Sequence, residues 1–282
     1  MYDSQRERQQ MIRPPAVAGQ FYPGGARAID AALDELIPSV LNPRPAIALV
    51  CPHAGWVYSG ATAGKAYACV RVPDRVVLFG PNHHGIGSRY ALYKAGLWRM
   101  PNGDVPIAEA LATELLDGCA LLSEDPRAHA AEHSLEVQVP MLRRVNPHVQ
   151  IVPILIGAAW PESGGRRELR ELGEAIATVV KQHGKPVLLV ASTDLNHYED
   201  QQTSHRKDKL ALEAVRALDP DGLMDCVTEH DISMCGVAPV YVVLVASKRL
   251  GARRAEVIDY RTSGDVSGDL TAVVGYGAIV IE

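Results

Sequence analysis

The sequence predicts an α/β fold: a central, mainly parallel or mixed sheet flanked by helices on both faces. Three observations predict it. Short β-rich apolar runs recur, each followed by a polar or glycine-rich turn; segments with apolar residues at three- and four-residue spacing lie between them; and some runs, such as Pro186–Val190 (PVLLV), are apolar throughout. Strands alternating with helical segments imply parallel pairing, and strands apolar on both sides imply a sheet covered on both faces.

Taken in order, residues 1–10 (MYDSQRERQQ) are polar throughout and read as a flexible leader, with no apolar stretch for a secretory signal. Residues 11–282 are expected to form one domain. Pro38–Pro45 is a short proline-rich loop leading into a first strand, Ala46–Val50. The Ala-rich Ser59–Val70 is a helix, and Arg75–Phe79 is the second strand. Pro106–Leu116 and Ser134–Val145 follow as helices, then Gln150–Ile156 as a strand. Arg166–His183 is a long helix before the strand Pro186–Val190. Thr203–Leu218 and Val237–Leu250 are helices, and Glu256–Tyr260 and Leu270–Ile281 are closing strands, the last interrupted by Gly275 and Gly277.

Charge and cysteine content narrow the function. Lys plus Arg is 28 and Asp plus Glu is 33, so the net charge is 28 − 33 = −5. That balance argues against a nucleic-acid partner and against an acidic membrane surface, both of which want clustered positive charge. The strongly apolar stretch Val237–Ser247 contains Pro239 and is too short to span a bilayer. Five widely spaced cysteines without a CxxC pair predict reduced thiols in a cytoplasmic protein.

The chemistry sits where strands end. The first strand runs into Cys51-Pro52-His53-Ala54-Gly55 and the second into Gly80-Pro81-Asn82-His83-His84-Gly85. The strand at Pro186–Val190 runs into Ala191-Ser192-Thr193-Asp194-Leu195-Asn196-His197-Tyr198. Ligands of open α/β sheets gather outside the carboxyl ends of the strands. One strand-end histidine is most often a satisfied structural residue; three clusters delivered to the same edge favour function. Glu132-His133-Ser134 is read as a helix start with Ser134 as its N-cap, which leaves Glu132 and His133 without a structural role. Cys235, in Met234-Cys235-Gly236, precedes a helix whose dipole is expected to favour its thiolate, whereas Cys69, Cys119 and Cys226 read as packing residues. Imidazoles with one thiolate suit a first-row metal, Zn, Fe or Cu; the same groups could also make a metal-free Cys-His-Asp nucleophilic site, and spacing leaves both open.

The motifs resemble the Memo family nearly end to end. They are Arg13–Pro23 (RPPAVAGQFYP), Cys51–Gly60 (CPHAGWVYSG), Gly80–Gly85 (GPNHHG), Glu132–Pro140 (EHSLEVQVP), Ser192–Tyr198 (STDLNHY), Met234–Gly236 (MCG), Tyr260–Asp265 (YRTSGD) and Val273–Ala278 (VVGYGA). The resemblance implies a fold like that of the class III extradiol dioxygenases, which hold a non-haem Fe(II) with two histidines and a carboxylate. By motif, the metal ligands implied are His53, His83 and Cys235, the cysteine standing where those enzymes carry the carboxylate. A thiolate there shifts preference toward softer metals. The expected cofactor is therefore one divalent or redox-active ion, Fe(II) first, with Cu or Zn as alternatives.

The family likeness places His197 as acid/base and Asp194 beside it. His133 joins them as a catalytic candidate, while His84, Tyr58 and Glu132 are expected to face substrate. The function expected is that of a metal-dependent oxidoreductase acting on a small molecule or peptide. The alternatives are a metal- or peptide-binding protein without turnover and a Cys-dependent hydrolase. Some relatives are adaptors for phosphorylated peptides, but no arginine cluster marks the strand-end motifs. By analogy alone, the family implies a functional link to a radical-SAM protein.

Overall fold

The computed structural model describes residues 11–40, 42–157 and 165–282. The leader read at residues 1–10 lies outside the described residues. The strands are β1 (Ile12–Arg13), β2 (Ala48–Cys51), β3 (Arg75–Pro81), β4 (Tyr90–Leu92), β5 (Leu97–Met100), β6 (Gly103–Pro106), β7 (Ser123–Glu124), β8 (Gln150–Ile156), β9 (Leu188–Ser192), β10 (His197–Glu199), β11 (Ala255–Thr262) and β12 (Val273–Ile281). The helices are α1 (Ala26–Leu36), α2 (Trp56–Cys69), α3 (Glu109–Gly118), α4 (Val139–Val145), α5 (Gly165–His183), α6 (Gln201–Arg216), α7 (Pro220–Glu229), α8 (Val237–Leu250) and α9 (Gly264–Ser267).

Nine strands form the main sheet in the order β10-β12-β2-β9-β3-β8-β4-β7, with β11 paired to β12. The four central strands β2, β9, β3 and β8 are mutually parallel, and antiparallel β12 and β4 close the two sides. The sheet is thus mixed around a parallel centre. Strands β2 and β9 are buried at every position, as runs apolar throughout demand. Helix α8 lies on β2, β3 and β9 with α5 and α7 stacked on it, while α2 lies on β2, β11 and β12 with α1 and α4 beside it. These two groups of helices cover the two faces, and one continuous cluster of buried side chains runs through the sheet.

Most elements match the sequence expectation within a few residues, and the departures have local causes. Strands β2 and β9 both begin two residues later than their apolar runs and end later too, because they pair in register with each other from Ala48↔Leu189 to Cys51↔Ser192. The helix expected over Ser134–Val145 is instead a 3-10 turn at Glu136–Gln138 followed by α4. Pro140 lies in the first turn of α4, where a missing amide costs nothing, so the α-helix proper begins there. Ser134 does not cap it: its hydroxyl donates to the carbonyl of Pro81 at 3.0 Å, tying the segment to the end of β3. Helix α6 opens two residues early because the Asp200 side chain accepts from Thr203 N and caps it. A small three-stranded sheet, β1-β5-β6, was not foreseen from the pattern.

Among the described residues no helix is long and apolar enough to cross a membrane. All five cysteines are free.

Candidate metal centre

The strand order places the site. β9 lies between β2 and β3, and all three run the same way. The segments leaving their carboxyl ends, which carry His53, Asp194 to His197, and His83, therefore emerge side by side.

His53 is 2% exposed, and its main-chain amide donates to Asp194 Oδ1 at 2.7 Å. Its ring Nδ1 is 3.1 Å from Ser192 Oγ. The one hydroxyl proton of Ser192 goes to the Ser134 carbonyl at 2.6 Å, and Gln138 Nε2 donates to Ser192 Oγ at 2.9 Å. Ser192 can then only accept from His53, so Nδ1 carries the proton and Nε2 keeps its lone pair. His83 follows the same logic with a stronger partner. Its Nδ1 is 2.9 Å from Glu132 Oε1, and its amide donates to Glu132 Oε2 at 2.6 Å. A carboxylate accepts, which again leaves Nε2 free for a metal.

His133 completes the group. Its ring stacks on that of His83 at 4.7 Å and 15°, and its Nδ1 is 3.4 Å from Glu132 Oε1. Among the described residues, His53, His83 and His133 form the set whose donor atoms all lie within 4.8 Å of one another. Burial is the main reason that His53 and His133 stay neutral. It holds His53 well below its ordinary value, helped by the imidazoles of His133 and His83. It brings His133 down to about 4 against the pull of Glu132, with His83 and His84 adding to the effect. Neutral imidazole is the form that binds a metal. Burial works against ionisation of Glu132, but its bonds from His83 and Ser134 N outweigh that and hold its carboxyl well below the usual range.

Cys235 adjoins the free ring nitrogen of His53, its Sγ 3.3 Å from His53 Nε2 and accepting from Asp194 N at 3.4 Å. Its loop is seated by the Gly236 amide, which donates to Thr193 Oγ1 at 2.9 Å. The expectation of a thiolate in the unliganded site is corrected here. Burial, and then the nearby Asp194 carboxyl, push the Cys235 thiol up to about 12. A helix dipole is worth at most about 2 kcal/mol, and that does not recover the cost of an anion without water.

Asp194 and His197 do not form the pair expected of them. Asp194 Oδ1 accepts from His53 N and, at 3.3 Å, from Ala54 N, and burial raises the carboxyl to about 7. His197 Nδ1 instead lies 2.8 Å from the carbonyl of Ser233, and burial lowers the imidazole's pKa, where a neighbouring carboxylate would have raised it. Both residues nonetheless line one cleft of about 530 Å³ together with His53, His83, His133 and Cys235.

Of the residues expected to face substrate, Glu132 is 1% exposed and fully engaged with His83 and Ser134. It holds the ring of His83 instead. His84 is exposed, with Nε2 3.1 Å from the Ala131 carbonyl, and Tyr58 is 40% exposed on the first turn of α2. Neither lines the cleft. The aromatic walls are Phe21, Tyr198 and Tyr276, to which the sequence reading assigned no role although each lies inside a quoted motif. Phe21 reaches the site because Glu136 anchors its segment. That carboxylate accepts from Ala16 N, Val17 N and Tyr22 Oη and pairs with Arg13 at 2.7 Å, so the Phe21 ring rests 4.5 Å from His133.

A family model described as "Memo-like protein" matches residues 13–280. A MEMO1 family protein of Methanopyrus kandleri is 39% identical over 286 residues, covering 96% of this chain and 99% of its own. One from Methanosarcina barkeri is 40% identical over 273 residues, covering 96% and 100%, and one from Ignicoccus hospitalis is 38% identical over 284 residues, covering 95% and 98%.

Proposed function

The chain belongs to the Memo family, and on that premise we propose that it is a non-haem metal-dependent oxidoreductase. The observation that carries the reading is the convergence of His53, His83 and His133, two of them with Nδ1 tied back so that Nε2 is left to bind. Three imidazoles fit a first-row divalent ion. Cys235, touching His53, would be the adjoining donor, with a bound cation standing in place of the proton that burial otherwise keeps on sulfur. Fe(II) is the ion proposed, with Cu or Zn as the alternatives that the same donor set accepts. When bound, such an ion supplies electron transfer and Lewis-acid polarisation of a substrate atom.

The chain's own residues supply the rest. Phe21, Tyr198 and Tyr276 wall the cleft, displace water and offer ring faces to a small molecule or to one side chain of a peptide. His197 holds or accepts a proton at the rim. Among the described residues the cleft lining includes no Lys or Arg, which speaks against phosphate recognition. Free cysteines support a reducing compartment, the cytoplasm.

A metal-free thiol enzyme is the second reading. The 3.3 Å contact between Cys235 and His53 favours it, and the burial that keeps the thiol protonated opposes it.

The deciding experiment is metal analysis of protein purified anaerobically without chelator and of the same protein reloaded with Fe(II), Cu or Zn. About one ion per chain is expected, with loss in His53→Ala and His83→Ala. Parent protein that retains none of the three ions after reloading would remove the proposal.

A further inference from the structure

This inference rests on the proton-handling role given to His197 and concerns what holds that residue. Segments 193–198 and 231–236 carry His197 and Cys235, and they are joined through one buried amide. Asn196 is 0% exposed, and each of its polar groups is partnered. Its main-chain amide donates to Asp208 Oδ1 at 2.8 Å, and its carbonyl accepts from Gly275 N at 2.9 Å. Nδ2 donates to Glu199 Oε2 at 2.6 Å and to Ser204 Oγ at 3.3 Å. Oδ1 accepts from both the amide and the hydroxyl of Ser233, each at 3.1 Å. Because a carboxylate accepts and an amide N–H donates, the orientation of the Asn196 side chain follows from its partners.

Ser233 in turn grips His197 twice. Its Oγ accepts from His197 N at 2.8 Å, and its carbonyl lies 2.8 Å from His197 Nδ1. A carbonyl only accepts, so Nδ1 carries the proton. We propose that Asn196 and Ser233 are positioning residues that hold His197 as its Nδ1–H tautomer, making Nε2 the proton acceptor of the cleft, and that tie this acceptor to the loop bearing Cys235. The substrate that suits it presents an O–H or N–H group. In the transfer that bond breaks, its electron pair stays on the substrate atom, and an Nε2–H bond forms; no electrons are exchanged.

Ring-nitrogen NMR of 15N-histidine-labelled full-length protein, metal-free and zinc-loaded, reads the tautomer directly. The parent is expected to show His197 as Nδ1–H near neutral pH. Ser233→Ala keeps the carbonyl but removes the Oγ bonds to His197 N and Asn196 Oδ1 that seat it against the ring, and should shift the tautomer ratio toward Nε2–H by about fivefold as the Nδ1–H bond is weakened. Asn196→Ala should shift it further, and Ser233→Thr should restore it. Ser233 is exposed, so its variants keep the test valid even where the buried Asn196→Ala fails to fold. His197 found as Nε2–H in the parent, or an unchanged ratio in Ser233→Ala, overturns the proposal. Metal content measured on the same samples separates the two ideas. A parent that binds no metal sinks the oxidoreductase reading and leaves the tautomer result standing; a metal-binding parent with Nε2–H sinks this inference alone.

Discussion

Glu132 shows how much of the site is decided by a side chain that never meets solvent. Both of its oxygens are spent on His83 and Ser134, and its bond to Nδ1 is what leaves His83 Nε2 free. Partners of this kind typically carry 10- to 100-fold of metal affinity. Glu132→Gln is therefore expected to weaken metal retention by about 10- to 100-fold with little change of fold, read by competition with a chelator. Unchanged affinity would mean that His83 does not depend on this carboxylate. Cys235→Ser and His197→Ala make a second pair. A serine hydroxyl does not ionise near neutral pH as a metal-bound thiol does, so Cys235→Ser should lose much more metal than His197→Ala. Equal losses would make His197 a ligand and end its acid/base assignment.

At the scale of elements, the site depends on how closely loops approach. A Cβ added at Gly236 would lie 2.4 Å from Thr193 Cβ and 2.5 Å from the Ser192 carbonyl, too close to either for the α8 start to keep its seat. Gly236→Ala is expected to lift the Cys235 loop off β9, cost roughly 1–3 kcal/mol and separate Cys235 from His53. A crystal structure retaining the 3.3 Å contact would refute this. The anchored N-terminal segment depends on burial of charge. Arg13 and Glu136 are 2% and 0% exposed, and Arg13 also donates to the carbonyls of His129 and Glu132. Removing one partner leaves an uncompensated buried charge, so Arg13→Ala should cost about 3–5 kcal/mol in urea unfolding. A loss below ~1 kcal/mol would show that water reaches Glu136.

For the whole molecule, burial sets opposing proton balances. His53, His129 (at about 3) and His133 (at about 4) are kept neutral, so the stability they lend is present above their unfolded value near 6.5 and is lost as pH falls. Asp194 (at about 7) and Asp208 (at about 6) are raised, so their contribution is present below the unfolded carboxylate value and is lost as pH rises. Between about pH 6 and 4.5 the three histidines and two aspartates nearly cancel, leaving about one proton and a slope of roughly 1.4 kcal/mol per pH unit. Below about pH 4 the unfolded aspartates are protonated as well, but His133 and then His129 begin to bind protons in the fold, so the slope should rise only to roughly 2 kcal/mol per unit. Urea titrations of metal-free protein across this range check it. A steep slope already at pH 6 would mean that Asp194 and Asp208 are ionised in the fold.

What the sequence by itself determined was local or periodic. The parallel centre is legible in runs such as PVLLV, and the strand-end placement of His53 and His83 in the motif that follows each run. Helix α8 is legible to the residue, over Val237–Leu250. Motif content also identified the family. Only the tertiary structure decided that β9 separates β2 from β3, that His133 joins the other two imidazoles, and that Glu132 turns inward to hold one of them. It also decided that burial outweighs the helix dipole at Cys235 and that His197 answers to Ser233 and not to Asp194. Apolar period and turn chemistry act between neighbours in the chain. Strand order, desolvation and hydrogen-bond partners depend on residues tens to hundreds of positions apart, and they take effect only when packing brings those residues together.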